Sequence, residues 1–337
     1  MTPILFACIS PAEDVATNAA EDDCVDGFVR GGDGNCYERD DGDDTDTTET
    51  GDTDTAVETG GDTDDDTDSD SDEPAETGWI DGAVADPHVC ALSRAGAVAC
   101  WGETSRYDMT PPSGEFVDVA ASSANACAVT SAGAVTCWGQ VDYGVTDEPA
   151  EPCSSIAVGL RFACGVLATG WLDCWGGDSN YSAVVTTVPS GAFSSVSASR
   201  GGFHACALDG AGYATCWGDD DYGEATAPAG RFRQVGTGSH YSCGLTSTGA
   251  ILCWGFNGDD RGSPPSGAFS SMAIGAFHGC ALDSSGQATC WGHDYYGETS
   301  PPSASFVSLD ADTGCSCGIT ADYRIECWGN VPAGVGT

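Results

Sequence analysis

Seven times along this chain two cysteines stand ten residues apart with Trp-Gly directly after the second, as in "CALDSSGQATCWG" at residues 280–292. The second cysteines are Cys100, Cys137, Cys174, Cys216, Cys253, Cys290 and Cys327, separated by 37, 37, 42, 37, 37 and 37 residues. A period of that length marks a repeated supersecondary unit, stacked so that neighbours bury what one unit leaves exposed.

Within each unit the residue types predict a small antiparallel sheet. An aromatic residue or its stand-in lies eleven residues before the first cysteine, at Trp79, Phe116, Cys153, Phe232, Phe269 and Phe306, with Phe193 displaced by two. Segments such as "FSSMAIG" then alternate apolar with small polar residues, the period of a strand. No segment carries a sustained 3.6-residue apolar stripe, so helices are not expected. Glycine follows the first cysteine by six residues in six repeats (Gly96, Gly133, Gly170, Gly212, Gly249 and Gly286). A tight turn needs positive φ there. Such a turn sets each cysteine pair face to face on adjoining strands, at a separation that suits a disulfide. The expected bridges are Cys90 with Cys100, Cys127 with Cys137, Cys164 with Cys174, Cys206 with Cys216, Cys243 with Cys253, Cys280 with Cys290 and Cys317 with Cys327. In the last repeat Tyr323 replaces the turn glycine. Tryptophan, next to cysteine, points to the opposite sheet face and can pack between units. The glycine after it releases the chain into a loop, a short fourth strand and a Pro-rich passage. Four short strands repeated seven times define an all-β chain, a seven-bladed β-propeller over residues 79–337.

The unit "GAFHGCALDSSGQATCWGHDYYG" and its six siblings resemble the regulator of chromosome condensation repeat, G-x-x-H-x-C-A-L-x-x-x-G-x-x-x-x-W-G-x-N-x-x-G. The resemblance implies a seven-bladed propeller. It also implies a binding role over catalysis, since members include an exchange factor for a small GTPase, a plant light sensor and a bacterial secreted inhibitor of β-lactamase. No exchange-factor residue carries over onto this chain. Paired cysteines in every unit point instead to an oxidising, extracytoplasmic location.

The first 78 residues are of another kind. They hold 26 Asp and Glu against two Arg, and the remaining 259 hold 26 against eight; lysine is absent. A surface of that sign repels phosphate backbones, so nucleic acid is not an expected partner. Residues 37–78, rich in Asp, Thr and Gly, cannot bury enough apolar surface to order themselves and read as a disordered, self-repelling linker. Their Asp-x-Asp runs lack the glycine-punctuated loop and closing glutamate of an EF-hand. The start, "MTPILFAC", resembles a truncated lipoprotein signal over residues 1–8, with Cys8 as the lipidation candidate; a basic n-region is missing and the apolar run is short. That reading places the chain in the cell envelope as a lipoprotein, or outside the cell as a secreted protein, touching membrane only through the lipid. In the short segment 9–36, Cys24 and Cys36 would close a loop. Cys153 and Cys315 are left over, standing where other repeats carry Phe and His. No cofactor is expected, and the i, i+10 cysteine spacing is not a zinc-knuckle pattern.

Blade topology puts the first and third connections on one face. The first connection carries Phe162, Phe203, Tyr241 and Phe277 with Arg161 and Arg200; the third carries Tyr107, Tyr181 and Tyr295. Tyr, Phe and Arg together are the composition of interaction hot spots, so this rim is the expected binding face for a protein or glycan at the cell surface. Tyr143, Tyr222 and Tyr296 recur at one register and are expected to wedge between blades, and His88, His204 and His278 to bond within their own blades. Two other readings stay open. A surface enzyme would use His293 with rim carboxylates such as Asp142, Asp221, Asp259 and Asp294. A coat or spacer protein would have no specific ligand.

Overall fold

The computed structural model describes residues 28–30, 36–38, 78–85, 88–102, 107–180, 182–332 and 334–335. The chain divides into two compact units. In the unit Ala12–Asp72 the described part is an antiparallel pair of short strands, Phe28–Arg30 and Cys36–Glu38. The lipidation candidate Cys8, the Cys24 and Cys36 side chains and the body of the acidic linker lie outside the described residues.

From Trp79 onward the chain forms seven sheets, each built from one contiguous stretch with strands in the order inner, middle, outer. Blade four is representative: Phe193–Ala198, His204–Asp209 and Ala214–Gly218. The expected fourth strand is not formed among the described residues: every blade has three. The reason is local. After Trp-Gly the chain enters Asp- and Gly-rich turns and then prolines, such as Pro301 and Pro302, which cannot donate to a ladder. Nor are helices wholly absent, since Ser182–Thr186 forms a short α-helix in the longer third connection and Gly258–Asp260 a 3₁₀ turn. The helix lies in the third interval, Cys174 to Cys216, which is lengthened to 42 residues.

The turn chemistry is as the repeat demands. Gly212 has φ 88°, and a Cβ there would sit 2.6 Å from the Phe232 carbonyl oxygen. The crowding arises because each turn residue touches the next blade. The Phe232 N–H donates to Gly212 O at 2.8 Å, and the same bond recurs from Phe116 to Gly96 through Phe306 to Gly286. Tyr323 takes φ 65° without a glycine's freedom, and Trp79 N–H donates to its carbonyl at 3.1 Å. That bond joins blade seven to blade one. Ile319 and Ile325 of blade seven pack in one core cluster with Ala83 and Leu92 of blade one. The ring is therefore closed by packing and that hydrogen bond, with no strand shared between its ends among the described residues.

All seven expected disulfides are formed, each across directly paired residues of the middle and outer strands with Cα atoms 4.0 Å apart. On the other face the tryptophans clamp the preceding blade. Indole N–H groups of Trp175, Trp217, Trp254, Trp291 and Trp328 donate at 2.8–2.9 Å to the carbonyls of Val145, Val184, Glu224, Arg261 and Glu298. Cys315 is disulfide-bonded as well, to none of the hairpin cysteines. Cys153 is the free cysteine among the described residues; it is buried, and desolvation helped by Asp173 pushes its thiol up to about 11, which leaves it inert.

Candidate functional site

The ring presents two places where polar chemistry gathers: the central channel, where the inner strands meet, and the face formed by the first and third connections.

In the channel the loop after the inner strand of blade four carries Arg200 inward. Its guanidinium donates to Asp310 Oδ2 of blade seven at 2.9 Å and to Ala311 O at 3.1 Å, with both side chains almost completely buried. Arg200 is thus a strut across the ring and not part of the rim, a correction to the sequence reading. The physical reason is charge: the channel holds Asp81, Asp118 and Asp310, and a buried carboxylate without a cation is costly. Burial raises all three carboxyls; Asp118 is pushed up to about 7, and Asp81 further by the proximity of Asp118. The remaining space, a cavity of about 80 Å³ lined by Asp118, Ser155, Ser197, Arg200, Arg233 and Gln234 among others, is below the 300–1,000 Å³ usual for a ligand pocket.

These carboxyls and the histidines oppose each other in pH. Burial lowers His88 to about 4 and, with nearby His240 and His293 adding to it, lowers His204 and His278 to about 3. A histidine depressed in the folded state loses its contribution as pH falls below about 6.5. A carboxyl raised in the folded state contributes most at low pH and loses it as pH rises from about 4, its unfolded value, toward its folded one. Asp118→Asn isolates the second effect: relative to the parent its stability should rise between pH 4 and 7, by on the order of 2 kcal/mol after discounting for the wet channel. Denaturant titrations at stepped pH would check it, and a pH-independent difference would show that the half-buried Asp118 is not desolvated.

The repeated histidines bond between blades, not within them. His204 Nε2 lies 2.9 Å from Ser242 Oγ and His278 Nε2 lies 2.7 Å from Ser316 Oγ, in each case a serine of the next blade. Ala126 holds the corresponding place opposite His88, whose Nε2 is left unpartnered.

On the connection face several predicted rim residues prove internal. Phe162 is fully buried in a core cluster of blades three and four. Tyr241 is 0 % exposed, and its hydroxyl donates toward Gly275 O at 3.0 Å and His278 O at 2.7 Å. It plays the wedge role expected of the recurring Asp-Tyr-Gly tyrosines. Of those, Tyr222 is 55 % exposed, the reverse of its expected burial, while Tyr143 and Tyr296 are half-buried. Tyr107 packs beside the core of blades one and two, and Tyr181 lies outside the described residues. Arg161 stays at the face, paired with Asp178 at 2.6 Å and lying 4.4 Å over the Tyr143 ring.

What the face does present is a continuous run of rings across blades four, five and six. Phe203 and Tyr222 both meet His240 edge-on, at 6.5 and 5.3 Å, and Tyr222 meets Phe256 at 5.1 Å. Arg261 lies 5.1 Å over Phe256 and 4.9 Å over Phe277. Phe277 approaches His293, which stacks with Tyr295, which meets Tyr296 edge-on at 4.8 Å. Tyr295 is 77 % exposed. Between Phe277, His293, Tyr295 and Arg261 opens a cleft of about 350 Å³. Phe256 was missed by the sequence reading because its repeat lacks the Asp-Tyr-Gly signal; its place after Trp-Gly was the available clue.

Of the rim carboxylates, Asp259 pairs with Arg261 at 2.8 Å and Asp294 Oδ1 accepts the Thr299 N–H at 2.9 Å. His293 Nδ1 lies 2.6 Å from Oε1 of Glu298, which is fully buried. Among the described residues no helix is long and apolar enough to cross a membrane.

A propeller of contiguous three-stranded blades with Cys-Trp-Gly outer strands defines the class. Residues 193–224, 232–261 and 269–298 match the model of the regulator of chromosome condensation (RCC1) repeat, so the chain carries repeats of that family on an RCC1-like propeller. No curated protein matches it in sequence. Among solved structures it resembles the ectodomain of the receptor kinase ACR4 from Arabidopsis thaliana, with 23 % identity, TM-score 0.64, 77 % of this chain and 98 % of that one covered. The ectodomain of the receptor kinase CR4 from Physcomitrella patens gives 24 %, 0.63, 75 % and 74 %. Prp20p from Saccharomyces cerevisiae gives 16 %, 0.58, 75 % and 82 %. These likenesses establish the fold.

Proposed function

We propose that the chain is an exported, disulfide-stapled binding module, without catalytic activity, that engages a protein or glycan at the cell surface through the aromatic run from Phe203 to Tyr295. The observation that carries the reading is the continuity of those rings across three blades, with Tyr222, Phe256 and Tyr295 exposed. Large aromatic surfaces beside arginine lose little conformational entropy on binding and recur as hot spots. A protein partner has a parallel in Prp20p, described with binding to Gsp1p and histones. Seven disulfides support an oxidising compartment.

Capture from the native cell envelope and medium with the oxidised full chain, beside a Tyr222→Ala, Phe256→Ala, Tyr295→Ala variant, tests the reading. A species held by the first and weakened at least about 100-fold by the second is the expected result, since hot-spot truncations cost about 1–2 kcal/mol or more each. Equal retention by both would remove the face as the site. A second reading, a surface enzyme, draws on the His293–Glu298 pair in the 350 Å³ cleft. Activity profiling of the parent and His293→Ala tests it: an activity that the parent shows and the variant loses would support the enzyme over the binding module.

A further inference from the structure

Where blades four and five meet, Asp219 and Glu224 from the connection after Trp-Gly face His240 from the next blade. One ligand atom from each lies within 4.8 Å of the others. The central feature is Glu224. It is 0 % exposed; its Oε2 accepts the Tyr222 N–H at 2.8 Å, and its Oε1 has no hydrogen-bond partner. Its backbone is fixed, because its carbonyl accepts both the Trp254 indole N–H at 2.9 Å and the Ser242 hydroxyl at 3.0 Å. His240 is held in the left-handed region at φ 61°, a conformation a non-glycine residue keeps only where its surroundings impose it. Ser239 Oγ lies 3.0 Å from its Nδ1, the kind of contact that orients a ligating imidazole.

The other blades act as internal comparisons. In blade six His293 occupies the place of Asp219 and pairs at 2.6 Å with Glu298, the counterpart of Glu224, so the acid has a built-in partner. In blade five Arg261 replaces the glutamate and lies over Phe277, the counterpart of His240. In blade two Gln140 and Val145 carry no charge at the two places. Among the described residues, two carboxylates and an imidazole converge with no arginine among them between blades four and five alone.

We propose that Asp219, Glu224 and His240 form a divalent-cation site of the zinc class. Two carboxylate oxygens and one imidazole nitrogen match the donors zinc takes in three-ligand sites, leaving a position for water or a partner's ligand. Calcium and magnesium favour all-oxygen, higher-coordinate sites. A divalent charge would balance both carboxylates and give Glu224 Oε1 the partner it lacks. Because Tyr222 and Phe203 lie edge-on to His240, the ion would also fix one end of the aromatic run.

The test is zinc titration of the oxidised full chain against a chromophoric chelator, in excess magnesium to occupy the acidic surface, for the parent, His240→Gly and Asp219→Asn. Glycine suits φ 61°, so the first variant removes a ligand without threatening the fold. One zinc held per parent chain, weakened at least about tenfold in both variants, is expected. A Glu224 carboxylate infrared band, assigned by its loss in Glu224→Gln, should shift on zinc addition. Equal zinc affinity in parent and both variants, or a Glu224 band that zinc leaves unmoved, overturns the proposal.

Discussion

Reduction of the seven bridges should unfold the propeller outright. Each closes a hairpin loop of about ten residues, and the chain-entropy model assigns such a loop about 3 kcal/mol. Seven of them exceed the 5–15 kcal/mol of net stability typical of a domain. Part of the buried contact that would have to offset the loss is small: Ala83, Ala91, Ala121, Ala126 and Ala128 around blades one and two, Ala205 and Ala207 in blade four. Alanine buries little area beyond its backbone. The sulfurs fill the space that larger aliphatic side chains would otherwise occupy, with Cys90, Cys127, Cys164, Cys206, Cys243, Cys280 and Cys317 all 0 % exposed. Thermal unfolding with and without reductant should show a cooperative transition only in the oxidised protein. Removing one bridge, Cys280→Ala with Cys290→Ala, should lower stability by about 3 kcal/mol and leave the ring folded. A fully reduced chain that kept the parent's transition would show that packing and the tryptophan clamps suffice.

The fold was legible because repetition multiplies weak signals. One glycine six residues past a cysteine says little; six in register, at Gly96 to Gly286, specify the turn, and the paired cysteines follow from it. The missing fourth strand was not legible, since the short stretch before the prolines has the same composition whether it pairs or loops. The site was less readable for a related reason: composition places a residue in a loop but does not say which way it turns. Tyr241 and Tyr222 lie in connections of one face, yet the first turns in to bond Gly275 and His278 carbonyls and the second turns out. Asp219 and Glu224 belong to one repeat and His240 to the next, and a search for ligands in register finds the three buried histidines at His88, His204 and His278 instead.

Arg200→Leu should destabilise the ring by about 4 kcal/mol, more than any substitution on the connection face. The charge it removes spans the channel from blade four to Asp310 of blade seven, and breaking a buried pair from one side leaves an uncompensated ion, a loss of about 3–5 kcal/mol. Here the ion left behind has no second cation beside it: Asp310 Oδ1 already lacks a partner, and Asp81 and Asp118 share the channel. The deficit should depend on pH in a definite sense. Asp310 is raised by burial even with Arg200 in place. Without the guanidinium it holds its proton more tightly still, so the variant is least impaired at low pH, where the carboxyl is neutral. The deficit then grows as pH rises. Asp310→Asn in the Arg200→Leu background removes the stranded charge and should restore most of the stability at pH 8, with the coupling read from a double-mutant cycle. Were Arg200 a surface residue, as its loop composition first indicated, the single substitution would change stability by no more than about 0.5 kcal/mol at any pH. Denaturant unfolding at pH 5 and pH 8 separates the two outcomes, and with them the difference between a ring held open by its blades and one braced across its centre.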